Sequence, residues 1–191
     1  MTVDYTIIAL TVLFWIFPAI RQYKTELFCY FFILAVEDPL TMSLSLAKIF
    51  APYNSYMIGA FILILALFWN YRKNRYTKVI LAVFFLLICT AIGASMKIHY
   101  GILILFHLTI LLFFLRRSIY FIAESGKANL FHLFLLLYET TIMLKMLVML
   151  TEANAGLAFF HITTIFEILI AIFFSIFKEN DSRLFINLKN V

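Results

Sequence analysis

The sequence predicts an all-α, polytopic transmembrane helical bundle. Three observations predict it. The 191 residues are 65% hydrophobic and only 13% charged. Seven apolar runs are each about long enough to cross a ~30 Å hydrocarbon core at a helical rise of about 1.5 Å per residue. The basic residues between those runs fall on alternating sides. A soluble domain is about 45–50% apolar and about 25% charged, and it could not bury this much apolar surface. Disordered chains are polar, so disorder is excluded as well. No segment alternates strictly between polar and apolar residues, which argues against a barrel.

The first run spans Tyr5 to Ile20. It lacks a basic segment before it and a small-residue cleavage site after it, so it is expected to be a permanent helix and not a signal peptide. The second, Leu27 to Phe50, is interrupted by Glu37-Asp38-Pro39. The third and fourth are Tyr56 to Tyr71 and Val79 to Met96. The fifth, Tyr100 to Leu115, can run on to Ile122. The sixth and seventh are Asn129 to Leu150 and Ala155 to Phe177. Residues 1–177 therefore read as one transmembrane domain and 178–191 as a short tail. Leu184, Phe185, Ile186 and Leu188 stand among charges in that tail. This is the pattern of an amphipathic membrane-surface segment or of a docking peptide for a cytoplasmic partner.

Orientation follows from the loops. Arg21 and Lys24 follow the first run, and Arg72, Lys73, Arg75 and Lys78 follow the third. Arg116, Arg117 and Lys127 follow the fifth, and Lys178, Arg183 and Lys189 follow the seventh. The opposite side carries Asp4, an uncharged Ala51–Ser55 turn, Lys97 and Glu152. The positive-inside rule then sets the N-terminus outside and the C-terminus in the cytoplasm of a cell (plasma or inner) membrane. The net charge of +5 is explained by this asymmetry, and nucleic acid is not an expected partner. Cys29 and Cys89 lie inside apolar runs and read as small buried hydrophobes.

A charge at the bilayer centre costs about 2.5–3.5 kcal/mol on insertion scales, so intramembrane polar residues are the functional suspects. Glu37 and Asp38 lie near the middle of the second run, His107 of the fifth, Glu139 of the sixth and Glu167 of the seventh. Lys145 and His161 each lie six residues outward of the nearest acid on their own run, roughly 9 Å along the axis. They form a second, outer level and predict an opening toward the outside. His132 lies one heptad before Glu139 on the same face, while Lys48 is near enough to a helix end to snorkel. Tyr138 and Thr141 align with Glu139, whereas Lys145 is turned about 120° from it. Four acids face one deep cation, and not all can be ionised at acceptable cost. That imbalance is the basis for a proton- or cation-binding site. Pro39 removes an amide and frees a carbonyl near Ala35, which predicts a kink and allows a break in the second helix.

No metalloprotease, Cys-pair, nucleophile-elbow or phosphate-loop motif is present, and no two histidines have metal-ligand spacing. Neither a metal nor a cofactor is expected. The last run has no lysine to hold retinal. One internal echo stands out: Phe31–Met42 (FFILAVEDPLTM) against Leu133–Leu144 (LFLLLYETTIML), with Glu37 in register with Glu139. The second and sixth helices run the same way, as a parallel repeat of three helices, one linker helix and three helices requires.

The leading reading is a non-enzymatic membrane subunit of sensor or receptor type. Its partners are the bilayer and a second copy or another protein at the cytoplasmic loops and tail. The alternative is a small proton- or cation-coupled transporter or channel that uses the midplane carboxylates. The third is an intramembrane lipid-modifying enzyme with Glu139 or Glu167 beside His107 or His161.

Overall fold

A computed structural model describes residues 2–49, 51–71, 73–91, 94–153 and 155–188, the side chains of 2–8 excepted. What was expected of Phe50, Arg72, Lys189 and the Asp4 side chain lies outside the described residues.

Among the described residues the apolar runs form seven α-helices: α1 (Thr2–Arg21), α2 (Phe28–Leu46), α3 (Pro52–Phe68), α4 (Arg75–Ala91), α5 (Met96–Ser125), α6 (Leu130–Thr151) and α7 (Gly156–Ile176). Five of them are long and apolar enough to cross a membrane: α2, α3 with the 3-10 turn Trp69–Tyr71 that follows it, α5, α6 and α7. The described apolar part of α1 is shorter, Ala9–Arg21, and α4 has 17 residues with Arg75 and Lys78 in its first turn. Helix α5 outruns its apolar run. It continues past Leu115 and Ile122, through Arg116 and Arg117, to Ser125.

Each helix neighbours the next in the cyclic order α1–α2–α3–α5–α6–α7 and back to α1, and α4 packs outside this ring on α3 and α5. Short connections make successive helices antiparallel neighbours. The interior is aromatic. Phe31 meets Phe174 with ring centroids 5.0 Å apart, and Phe174 meets Phe131 at 4.8 Å. These three rings tie α2, α6 and α7 together, and all three are fully buried. Many large apolar residues remain on the outside, among them Leu46, Phe85, Ile162 and Leu169. A lipid environment accommodates such a surface, whereas water does not.

Two expectations need correction. Cys29 and Cys89 are exposed free thiols and not buried ones. Next to Cys29, the bulkier Tyr30 and Phe31 take the core-facing positions. The break allowed for in the second helix is also absent, because α2 is one helix through Pro39. The Ser43 hydroxyl donates to the Pro39 carbonyl at 2.8 Å, one turn on.

The tail does not lie free. Strand β1 (Lys127–Asn129), in the α5–α6 connection, pairs antiparallel with β2 (Phe185–Asn187), with Ala128 opposite Ile186. Gly126 ends α5 in the left-handed conformation (φ 66°), and its carbonyl accepts from the Leu188 amide at 3.1 Å. Leu184 is buried beneath the ribbon, and the Phe185 ring lies 5.2 Å from that of Phe121.

The last carbonyls of α7 have no partner within their own helix. The Gln22 side chain supplies one, donating to the carbonyls of Phe174 at 3.1 Å and Phe177 at 2.7 Å. Arg21 Nε donates to the Ile176 carbonyl at 3.1 Å. The end of α1 therefore caps the end of α7.

Candidate functional site

The polar residues inside the long apolar helices sort into three linked groups. In the first, Glu139 of α6 is fully buried. Its Oε1 accepts from the Tyr30 hydroxyl of α2, and its Oε2 lies 2.8 Å from His107 Nδ1 of α5. With Glu139 ionised, that nitrogen carries the proton and donates it. Three helices thus meet on one carboxylate.

In the second group, Lys145 Nζ donates to Glu167 Oε2 at 2.6 Å and to Thr164 Oγ1 at 3.0 Å. This pair joins α6 to α7. The lysine is turned away from Glu139, as the 100° helical increment predicts. Glu167 Oε1 is buried without a hydrogen-bond partner. In the third group, the Tyr56 hydroxyl of α3 donates to Asp38 Oδ1 at 3.2 Å.

The groups lie close enough to interact through space. Glu37 and Glu139 interact electrostatically, as do Asp38 and Lys145, and Asp38 and Glu167. The four acids therefore form one chain of charge interactions spanning α2, α6 and α7. Lys145 is hydrogen-bonded to one of them.

Glu37 sits differently. Its carboxyl lies directly over Gly59 of α3, in the space that a Cβ at that position would occupy. It lines a cleft of about 190 Å³ between α2 and α3, beside Thr41 and Ser55. A second, apolar groove of about 720 Å³ runs between α1 and α2 past Pro39. The third cavity, about 590 Å³, is the polar one, and it lies at the basic end of the bundle behind the tail. That is the opposite end from the one at which Lys145 and His161 predicted an opening.

His161 lies on α7, six residues before Glu167, and is partly buried. His132 does not join Glu139 despite sharing its face. It lies in the first turn of α6, with Nε2 3.4 Å from Glu179 Oε1. Among the described residues, no group of three or more His, Cys, Asp and Glu side chains is arranged to hold a metal ion.

Tyr30 belongs to the site without having been expected there, although it precedes Glu37 by one heptad and so shares its face. Tyr56 and Gly59 belong to it equally unexpectedly, and Gln22 and Glu179, also unexpected, form a separate polar cluster at the tail end of the bundle. Glu179 is nearly fully buried and accepts from Arg117 at 2.5 Å, while Arg117 also donates to Glu26 at 2.6 Å. Outside the helices, the Asp181 carboxyl accepts from Arg183 through both the side chain and the amide. These bonds hold the Asp181 carboxyl down at about 2.

No protein-family model, curated protein or solved structure matches the chain.

Proposed function

We propose that the chain is a non-enzymatic membrane subunit of sensor or receptor type, embedded in the cell membrane through all seven helices. The N-terminus lies outside, and the basic loops and tail lie in the cytoplasm. The observation that carries this reading is the state of Glu139. Both of its oxygens are engaged, by Tyr30 and by His107, and it has no exposure. A carboxylate held this way links the packing of three helices to its own charge. That suits a signal passed through helix positions better than exchange of a solute. Partners are a second copy or another protein at the cytoplasmic face.

A second reading is favoured by the ring of helices. In the order α1–α2–α3–α5–α6–α7, with α4 outside, each half contributes three successive helices. The acids of α2 and α6 sit at corresponding places in the two halves. This is the layout of a two-repeat transporter, in which sites lie near the midplane between repeats. Glu37, Asp38, Glu139 and Glu167 would then be the proton- or cation-binding groups.

One experiment separates the two. Purified protein in liposomes is assayed for proton, sodium and potassium flux, alongside Glu139→Gln and Glu167→Gln. The first reading expects flux no greater than in protein-free vesicles. Flux that disappears in both variants overturns it in favour of the second.

A further inference from the structure

The cavity of about 590 Å³ behind the tail is walled by the α3–α4 turn, the basic end of α5, the start of α6 and the tail itself. It is separate from the midplane network. Its size falls within the range of small-molecule sites, about 300–1,000 Å³. It carries both signs of charge. Arg117 is committed to Glu26 and Glu179, but Arg116 and Glu124 also line the cavity and have no hydrogen bond or ion pair among the described residues. Both lie on α5, eight residues apart, so roughly 12 Å along the axis, a gap that two long side chains and a ligand between them can span. The rings of Tyr71 and Tyr120 line the same space.

His132 also lines this cavity, is only 3% exposed, and places its Nε2 3.4 Å from Glu179 Oε1.

We propose that this cavity binds a zwitterionic phosphate ester with the chemistry of phosphoethanolamine. The phosphate lies at Arg116, whose planar fork engages two phosphate oxygens at once. The ammonium lies at Glu124 and the face of a neighbouring tyrosine, where carboxylate and ring quadrupole both attract a cation. A phospholipid headgroup and the free ester share this chemistry.

The test uses the full chain in a neutral detergent and follows thermal unfolding. The probes are O-phosphoethanolamine, dioleoylphosphatidylethanolamine, and dioleoylphosphatidylglycerol, which has the phosphate without the ammonium. The expected result is a saturable rise in melting temperature with one or both ethanolamine probes. Half-saturation should move at least tenfold higher in Arg116→Gln and in Glu124→Gln. Both substitutions replace exposed side chains, so the fold is retained. A response to the soluble ester identifies the free compound, and a response to the lipid alone identifies the headgroup. The proposal is overturned by no saturable response to either ethanolamine probe, by an equal response to the glycerol lipid, or by either variant binding like the parent.

Discussion

Nδ1 of His107 lies 2.8 Å from Oε2 of Glu139, across the boundary between α5 and α6, with both side chains withdrawn from solvent. Tyr30 closes the other side of the carboxylate from α2. Removing any one of the three leaves a polar group buried without its partner.

Tyr30→Phe is expected to destabilise the protein by about 1–3 kcal/mol, the cost of an unsatisfied buried acceptor. His107→Leu should cost a similar amount, because it leaves the second oxygen of the same buried carboxyl without its partner. Chemical unfolding in mild detergent measures both. Parent-like stability in His107→Leu would show that the imidazole does not hold the Glu139 carboxyl.

Lys145→Met should destabilise by about 3–5 kcal/mol, since Glu167 loses its counter-charge. Adding Glu167→Gln should restore much of that loss. A double-mutant cycle reads the coupling directly, and a coupling near zero contradicts the pairing.

Gly59→Ala places a methyl group where the Glu37 carboxyl now sits, 2.5 Å from Cδ and closer still to Oε1. The whole carboxyl must swing away. The substitution should therefore destabilise the parent protein but have little effect in a Glu37→Ala background. Equal effects in both backgrounds would mean that the two residues do not touch.

Glu179→Ala should release the tail. Arg117, His132 and the Gln22–Glu179 amide contact all lose a partner or its support. The amides of residues 185–187 should exchange with deuterium at least tenfold faster, while those of α5 remain protected. Unchanged exchange in the ribbon would show that strand pairing alone holds it.

Acid should loosen the turn at Asp181. Its folded-state carboxyl titrates at about 2, below the ~3.9 of an unfolded chain. A depressed value stabilises the folded turn above about pH 4, and that contribution is lost as pH falls toward about 2. The group is at the surface of the tail and only partly buried, so the effect is local. A spin label at Asn187 should gain mobility over this interval in the parent, and Asp181→Asn should abolish the pH step.

The helical class and the approximate place of all seven helices were legible, because each depends on a long local run of apolar residues. The separation of Lys145 from Glu139 was legible too, since it follows from helical angle alone. The partners of Glu139 were not. Tyr138 and Thr141 align with it on α6, yet Thr141 donates to the Leu137 carbonyl of its own helix. The actual partners are 109 and 32 residues away and depend on which helices become neighbours. The docking of the tail was illegible for a related reason. Its mixture of charged and apolar residues reads as a membrane-surface pattern, but Glu179 and Leu184 find complementary groups only once α1, α5 and α6 have assembled.

The cap that Gln22 places on α7 has a consequence for biosynthesis. Gln22 leaves the ribosome 152 and 155 residues before the carbonyls it serves, at Phe174 and Phe177. Throughout that interval its amide must find temporary partners in water or headgroups. Closure of the bundle is therefore a late event, completed only when the last helix arrives beside the first. A chain truncated before α7 should be a target for quality control even with its other helices inserted.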